Sequence, residues 1–276
     1  MRSIAVINQK GGVGKTTTAV NLAAGLARAG QQVLLVDLDA QAHATMHVGV
    51  EVGPDDLSIY DVLIRGTPVA DVARAAGEHL VVLPAHLDLV GAELELAERE
   101  ARETVLARGW RAYQAGFDYG LVDCAPSLGL LTINALAAVE EVLIPLQPHF
   151  LALQGLGRLL ETVSLVRARL NPPLRVLGVV LCMYETATRL AQEVRQDVVR
   201  FLASAEPSAP WYGAFVFQTV IRRNIKLAEC PSFGQTVFDY APGSHGAEDY
   251  LALAREVAAA GQTSAAPTRI AEIAAS

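Results

Sequence analysis

A glycine-rich stretch near the start of the chain carries the residue types that bind a polyphosphate. It runs Gln9-Lys10-Gly11-Gly12-Val13-Gly14-Lys15-Thr16-Thr17. Glycines let the backbone curl so that successive N–H groups point inward at an anion, and Lys15 supplies a positive charge for the β- and γ-phosphates. The hydroxyl of Thr16 is a suitable Mg²⁺ ligand, and Thr17 offers a further donor. The stretch predicts a nucleotide-binding loop; a glycine-rich turn with solvated lysines is the alternative.

The loop departs from the usual G-x-x-x-x-G-K-[ST] pattern at its first positions. Gln9 replaces the first glycine, and Lys10 is an additional lysine, which gives the deviant Walker A pattern K-G-G-x-G-K-[ST]. Lys10 lies too far round the loop to duplicate Lys15 on the same nucleotide. We therefore expect Lys10 to reach a nucleotide bound by a second copy of the chain. The residues predicted to bind nucleotide are Lys10, Gly11, Gly12, Val13, Gly14, Lys15, Thr16 and Thr17.

Carboxylates follow two predicted strands, at 32–37 and 118–123. Ligands of parallel sheets bind outside the carboxyl ends of the strands, so these acids are expected beside the phosphates. We expect Asp39 to orient the attacking water, Asp37 to lie in the outer shell of the metal, and Asp123 to hold Mg²⁺ through water and to fix Thr16. Acids that cap a turn are the alternative. The predicted catalytic residues are Lys10, Gly12, Lys15, Asp39 and Asp123, and the predicted metal site comprises Thr16, Asp37, Asp39 and Asp123.

Histidines and cysteines offer no comparable site. His43 and His47 stand four residues apart and could share a helix face, but the sequence has no H-E-x-x-H motif, so surface or packing roles are expected. The three cysteines, Cys124, Cys182 and Cys230, are far apart and form no C-x-x-C pair, which disfavours a disulfide framework and a zinc site.

Apolar runs of strand length alternate with segments of helical periodicity along the chain. This alternation predicts an α/β fold with one doubly wound, mostly parallel sheet flanked by helices. We expect a single ATPase domain over 1–260 and a flexible tail over 261–276. Strands are predicted at 4–7, 32–37, 80–85, 118–123, 141–146, 174–182 and 215–220, and helices at 16–27, 58–64, 68–76, 88–97, 128–139, 151–170, 190–202 and 246–260.

Composition limits the classes of protein that the chain can represent. Its 276 residues, 52% of them hydrophobic, suffice for one large core, and no run of about 18 uncharged apolar residues is present. The first strand begins too early for a signal peptide, so we expect a cytosolic protein. The net charge of −7 argues mildly against a nucleic-acid partner, yet residues 151–230 hold ten Lys and Arg against six acids. That excess predicts a basic face, although solvated helix surfaces give the same pattern.

Four motifs occur in the order found in ParA proteins, the Soj-like chromosomal branch especially. They are the glycine-rich loop, Val36-Asp37-Leu38-Asp39-Ala40-Gln41, Val122-Asp123-Cys124-Ala125-Pro126-Ser127 and Arg223-Asn224-Ile225-Lys226-Leu227-Ala228-Glu229. The resemblance implies a slow P-loop ATPase that binds ATP and Mg²⁺, forms a homodimer in the ATP state and then binds double-stranded DNA non-specifically on the nucleoid. It also implies a ParB-like activator and no membrane partner.

The resemblance to ParA proteins implies that Arg223 and Lys226 contact DNA. Two nearby positions differ from the family's usual sequence. The family usually has an arginine in the turn before Thr188, where this chain has Ala187, and Arg222 stands where a proline is usual. Arg189 and Arg222 are the candidate substitutes. The predicted DNA-binding set is therefore Arg189, Arg222, Arg223 and Lys226.

Related ATPase classes remain as alternatives. A MinD-like membrane-associated ATPase shares the deviant loop but needs a basic amphipathic C-terminal helix, for which 268–273 is short and nearly neutral. A nitrogenase-type reductase needs cysteines that bridge a cluster, a role unsuited to Cys124 beside Asp123. An ATP-dependent synthase is disfavoured by Lys10. A ParA-like ATPase that positions a protein cargo rather than DNA also remains open.

Overall fold

One eight-stranded sheet forms the centre of the protein, in a computed structural model that describes residues 1–262. Its strand order is β3-β4-β2-β5-β1-β6-β7-β8, and every neighbouring pair is parallel except β3 with β4. This sheet confirms the predicted α/β, doubly wound fold class. The strands are β1 (Arg2–Val6), β2 (Val33–Leu38), β3 (Arg74–Gly77), β4 (Leu80–Leu83), β5 (Tyr119–Cys124), β6 (Glu141–Leu146), β7 (Arg175–Tyr184) and β8 (Phe215–Arg222).

Helices cover both faces of the sheet, so the central strands are buried on both sides. All six residues of β2, β5 and β6 are buried, which explains why their sequences are continuous apolar runs rather than alternating ones. The helices are α1 (Lys15–Arg28), α2 (His43–His47), α3 (Val69–Val72), α4 (Leu89–Ala97), α5 (Val105–Tyr113), α6 (Leu130–Ala138), α7 (Ala152–Arg169), α8 (Arg189–Ala203), α9 (Ile225–Glu229), α10 (Val237–Tyr240) and α11 (His245–Gln262).

The two faces have separate apolar cores. Helices α4 to α8 pack on one face, and α1, α2, α10 and α11 contribute to the core of the other. Helix α1 lies against α11 so closely that a Cβ on Gly25 would come within 3.0 Å of the Ala254 side chain. The hydroxyl groups of Thr18 and Tyr250 also meet between the two helices, 3.1 Å apart. Packing against α11 therefore helps to fix the helix that begins at the glycine-rich loop.

Three local predictions differ from the structure. Only Val69–Val72 of the predicted helix at 68–76 is helical, because Arg74–Gly77 pairs antiparallel with β4 as an edge strand. The predicted helix at 58–64 is helical from residue 59, but its main part is a π-helical turn at Asp61–Arg65. Helix α5 was not predicted, although Leu106 and Trp110 stand at helical spacing and are fully buried.

The C-terminal part of the domain extends through α11 to Gln262. Of the tail predicted over 261–276, residues 263–276 lie outside the described residues. Within residues 1–262 no helix is both long and apolar enough to cross a membrane.

Candidate active site

The glycine-rich loop connects β1 to α1, as the sequence predicts. Gly12 and Gly14 have φ angles of 73° and 92°, in the left-handed region that favours glycine. Gly14 is the N-cap of α1, and no side chain caps the first turn. The N–H groups of that turn are therefore available to an anion, whose charge the helix dipole also favours. A Cβ at Gly11 or Gly12 would meet no atom within 4 Å, so this side of the loop is open for a ligand.

Lys15 lies over this loop with 7% of its surface exposed. Its Nζ donates a hydrogen bond to the carbonyl oxygen of Lys10 at 3.3 Å. Burial lowers the pKa of Lys15, whereas the carboxylates of Asp123 and Asp39 raise it. The ammonium group is thus poorly hydrated and directed at the site where phosphate oxygens would replace lost water.

Asp123 ends β5 beside the loop and is completely buried. Neither of its carboxylate oxygens has a partner at hydrogen-bonding geometry within residues 1–262, so the predicted hydrogen bond with Thr16 is not formed, although the Thr16 hydroxyl lies near enough to affect the Asp123 pKa. Burial raises the pKa of Asp123 well above its ordinary value, and the charge of Asp37 raises it further, while Thr16 and Lys15 lower it by less. A buried carboxylate without donors is unfavourable unless a cation balances it. Asp123 with the Thr16 hydroxyl is therefore a donor set that fits Mg²⁺, a hard cation that prefers oxygen ligands.

Asp37 lies directly opposite Asp123 in the register of β2 and β5. Its Oδ2 accepts hydrogen bonds from the backbone N–H and the hydroxyl of Thr45, at 2.8 and 2.7 Å, and its Oδ1 accepts one from the Asp39 N–H at 3.1 Å. Burial raises the pKa of Asp37 to about 6. Because both oxygens already have partners, Asp37 orders the loop that carries Asp39, and its outer-shell metal role stays a prediction.

Asp39 is half-buried and lies two residues beyond Asp37. Its Oδ1 accepts a hydrogen bond from the Gln41 N–H at 3.0 Å, so the turn after β2 fixes one side of the carboxylate. Its charge raises the pKa of Lys15, which places Asp39 within electrostatic range of the phosphate side of the loop. This position suits a residue that orients water, and that role remains a prediction.

Lys10 is exposed on the rim of the loop. Its Nζ contacts Gln147 Oε1 at 3.4 Å, and its charge adds to burial in lowering the pKa of His149. The rim borders a groove of 420 Å³ lined in part by His149 and Arg158. Phe150 beside it is 89% exposed. Lys10 thus faces outward, and its contact with a second copy's nucleotide remains a prediction.

The four residues predicted to bind DNA lie at or just beyond the carboxyl ends of β7 and β8. Arg222 is engaged with Asp249 of α11, to which Nε and Nη2 donate at 3.0 and 2.6 Å. Its Nη2 also contacts Glu248 at 3.2 Å, and the Asp249 hydrogen bond raises the Arg222 pKa. Arg222 therefore ties β8 to α11 in this structure, and its contact with DNA stays a prediction.

The other three predicted DNA-binding side chains are more exposed, and each has one acidic partner. Exposed ion pairs of this kind contribute only about 0–1 kcal/mol, so a phosphate group can replace the carboxylate. The pairs are Arg189 with Glu193 at 2.8 Å, Arg223 with Glu185 at 3.0 Å and Lys226 with Glu229 at 2.9 Å.

Thr45 and Asn21 are the site residues that sequence reasoning missed. The Thr45 hydroxyl lies between Asp37 and the Ala85 N–H, from which it accepts at 2.9 Å. Neither residue belongs to a motif, and the only signal was a hydroxyl and an amide amid apolar helix positions. His43 is exposed and His47 is buried, as expected for surface and packing roles. Within residues 1–262 no group of three or more His, Cys, Asp or Glu side chains is arranged to hold a metal ion, and the donor set at the loop pairs Asp123 with a hydroxyl instead. The three cysteines are free and buried.

The chain is similar in sequence to known partitioning proteins over most of its length. A family model described as an AAA domain matches residues 1–176. The chromosome-partitioning ATPase Soj of Thermus thermophilus is 48% identical over 260 residues, which cover 94% of this chain and 96% of that protein. The sporulation initiation inhibitor protein Soj of Bacillus subtilis is 46% identical over 259 residues, covering 94% and 98%.

A solved structure shares the fold at lower identity. It is a Mycobacterium smegmatis protein named cobyrinic acid a,c-diamide synthase, crystallised with an ATP analogue and magnesium. It is 34% identical to this chain with a TM-score of 0.79, and the match covers 95% of this chain and 96% of the other.

Proposed function

Because this chain belongs to the Soj/ParA family of P-loop ATPases, we propose that it hydrolyses ATP with Mg²⁺ to control a DNA-binding dimer. The single observation that carries the proposal is the Asp123 carboxylate. Its two oxygens are buried without a hydrogen-bond donor from the described residues, at the end of the strand that borders the glycine-rich loop. This is the place where the metal of a triphosphate would balance the charge.

Each residue of the site then has a definable role. The N–H groups of residues 11–17 and the Lys15 ammonium group bind the phosphates, while Thr16 and Asp123 hold Mg²⁺. When bound, Mg²⁺ neutralises negative charge that develops on the phosphate oxygens. Asp39 holds the attacking water in line, and Asp37 keeps Asp39 in place by accepting its N–H. In this proposal, hydrolysis by the protein alone is slow.

The homodimer of the proposal forms through the loop rim. Lys10 is exposed there, and Phe150 and Leu151 expose 89% and 56% of their surfaces on the adjoining segment. Exposed large apolar side chains beside a basic residue suit an interface with a second copy that brings its own phosphates. Lys10 then contributes its charge to the partner's nucleotide, so ATP holds the two copies together.

The residues proposed to contact DNA are Arg189, Arg223 and Lys226. They project from the carboxyl-terminal edge of the sheet, and a dimer doubles the number of phosphate contacts they can make. Such binding is independent of base sequence and steeply dependent on salt. A ParB-like activator would raise the hydrolysis rate and release the dimer from the nucleoid.

Binding to a labelled random-sequence duplex tests the proposal. We expect binding in Mg-ATPγS but not in Mg-ADP, and a logarithmic salt dependence whose slope reports the number of phosphates contacted. Equal affinity in both nucleotides, or no binding at low salt, would contradict it.

A synthase is the second candidate, favoured by the name of the Mycobacterium smegmatis structure. A synthase consumes ATP in proportion to an acid substrate and an amine donor, whereas a partitioning ATPase responds to DNA. Measuring ADP release with duplex DNA, and separately with glutamine and a carboxylic acid substrate, distinguishes them.

A further inference from the structure

Helix α2 follows the acidic turn of the active site and is attached to it through Thr45. The Thr45 N–H and hydroxyl both donate to Asp37 Oδ2, at 2.8 and 2.7 Å. Asp37 in turn lies opposite Asp123 in the sheet. Any movement of this carboxylate pair on nucleotide binding therefore moves α2 as well.

Two glycines bring the end of α2 into backbone contact with a distant part of the chain. Gly49 and Gly234 have φ angles of 75° and 59°. A Cβ on Gly49 would lie 2.7 Å from the Gly234 carbonyl oxygen, and a Cβ on Gly234 would lie 2.9 Å from the Gly49 Cα. Only glycine fits at either position, both for conformation and for space. The two backbones are thus in contact with no intervening side chain.

A buried polar contact lies beside the two glycines. His47 Nε2 and Cys230 Sγ are 3.3 Å apart, and the two residues expose 1% and 0% of their surfaces. Buried polar atoms lose free energy when they lose their partner, so this contact holds α2 and the 3₁₀ turn Cys230–Phe233 in one relative position.

The same part of the chain is also attached to the phosphate-binding helix. Asn21 is fully buried; its Nδ2 donates to the Thr17 carbonyl oxygen at 2.8 Å, and its Oδ1 accepts the Val237 N–H at 2.8 Å. Thr17 belongs to the predicted phosphate-binding loop. Residues 230–237, which we term the coupling segment, are therefore held from one side by α2 and from the other by α1.

The coupling segment continues directly from α9, which carries Lys226, and Arg223 lies just ahead of that helix. We propose that the coupling segment links nucleotide binding to DNA binding, with Gly49, Gly234 and Asn21 as its positioning residues. The inference rests on the proposed function. In the structure, Glu229 and Glu185 hold Lys226 and Arg223. Phosphates that order α1 and the Asp37–Thr45 connection move the coupling segment together with α9, which sets the positions of Lys226 and Arg223 relative to the DNA phosphates.

The first test compares Gly49→Ala with Gly66→Ala. Gly66 has a φ angle of 72°, close to that of Gly49, but a Cβ there would meet no atom within 4 Å. Both variants therefore carry the same backbone strain, and only Gly49→Ala pushes the coupling segment away. In ATPγS we expect both to form the dimer by light scattering, with DNA affinity of Gly49→Ala about 5- to 150-fold weaker, the usual range for coupling between sites.

Coupling between two sites is reciprocal, so DNA should change the affinity for ATPγS by the same factor as ATPγS changes the affinity for DNA. A residue with a merely structural role would not alter this effect. DNA should tighten ATPγS binding by the wild type and by Gly66→Ala, but not by Gly49→Ala. Equal DNA affinity and equal tightening in Gly49→Ala and Gly66→Ala would overturn the inference. Absence of nucleotide-dependent DNA binding in the wild type would instead overturn the proposed function, and the inference with it.

If Gly49→Ala does not fold, a second pair of variants tests whether the coupling segment links nucleotide binding to DNA binding. Asn21→Ala removes the acceptor for the Val237 N–H on one face of the sheet. Asn134→Ala removes an equally buried asparagine that bonds Leu106 N and Arg102 O on the other face, away from the coupling segment. We expect only Asn21→Ala to lose the difference in DNA affinity between ATPγS and ADP. The same loss in both variants, or in neither, would overturn the inference.

Discussion

Replacing Asp123 by asparagine should stabilise the nucleotide-free protein while it weakens Mg-ATP binding. The wild-type carboxylate is completely buried, both of its oxygens lack a hydrogen-bond donor within residues 1–262, and Asp37 lies opposite it on the neighbouring strand. Asparagine has nearly the same shape and no charge, and its amide can donate to Asp37. The substitution therefore removes an unfavourable buried group from the folded state alone.

The size of the effect follows from the cost of a buried unpaired polar group, about 1–3 kcal/mol and more for a charged one. For a domain of this size, 1 kcal/mol corresponds to about 2–4 °C in Tm. We therefore expect the Tm of Asp123→Asn to exceed that of the wild type by between about 2 and 12 °C in EDTA. With saturating Mg-ATP the order should reverse, because only the wild type gains the full free energy of ligand binding.

Thermal unfolding followed by circular dichroism, in EDTA and in Mg-ATP, measures both effects. Asp71→Asn is the matched control, since it removes a carboxylate that is exposed on α3, and it should change stability by less than about 0.5 kcal/mol. An Asp123→Asn variant that is less stable than the wild type in EDTA, yet keeps the whole Mg-ATP shift, would refute the assignment of Asp123 as the metal-binding carboxylate.

Four further changes test the remaining roles. Lys15→Ala should abolish ATP binding in isothermal titration calorimetry, and unchanged affinity would remove Lys15 from the phosphate site. Asp39→Ala should bind ATP but hydrolyse it at least about a hundredfold more slowly, because the attacking water is no longer oriented. A wild-type rate of phosphate release would exclude this role for Asp39. Arg223→Ala combined with Lys226→Ala should flatten the salt dependence of DNA binding by about one unit per lost contact while ATPase activity is retained; an unaltered slope excludes both. Burial lowers the pKa of His47 from 6.5 to about 4. Between about pH 6.5 and pH 4 the unfolded chain therefore binds a proton at His47 that the folded protein does not bind. The free energy of unfolding should fall by up to about 3 kcal/mol as the pH is lowered through this range. His47→Gln should lose this part of the pH dependence, and an identical pH profile would show that His47 is not its source.

The sequence predicted the sheet and the position of the site because both depend on local signals. Strands such as β2 and β5 are continuous apolar runs that end in an acid, and their parallel pairing places Asp37 opposite Asp123. The glycine-rich loop requires neighbouring residues only, so its conformation follows from its composition.

Features that depend on pairing between distant residues could not be predicted in this way. The segment at 68–76 has an apolar spacing that suits a helix, but Arg74–Gly77 finds β4 as a strand partner. Asn21 and Val237 meet across 216 residues of sequence, and Gly49 meets Gly234 without any shared motif. The ion pair of Arg223 with Glu185 likewise joins residues 38 positions apart, whereas Glu193 and Glu229 are helix neighbours of Arg189 and Lys226.

Light scattering after size exclusion measures whether ATP forms a dimer, and comparison with Lys10→Ala shows whether Lys10 acts on the partner's nucleotide. In Mg-ATPγS we expect the wild type to have a mass of twice 29.3 kDa and Lys10→Ala to remain a single 29.3 kDa chain that still binds the nucleotide. A wild-type protein that stays at 29.3 kDa with ATPγS bound, or a Lys10→Ala variant that dimerises as the wild type does, would contradict it.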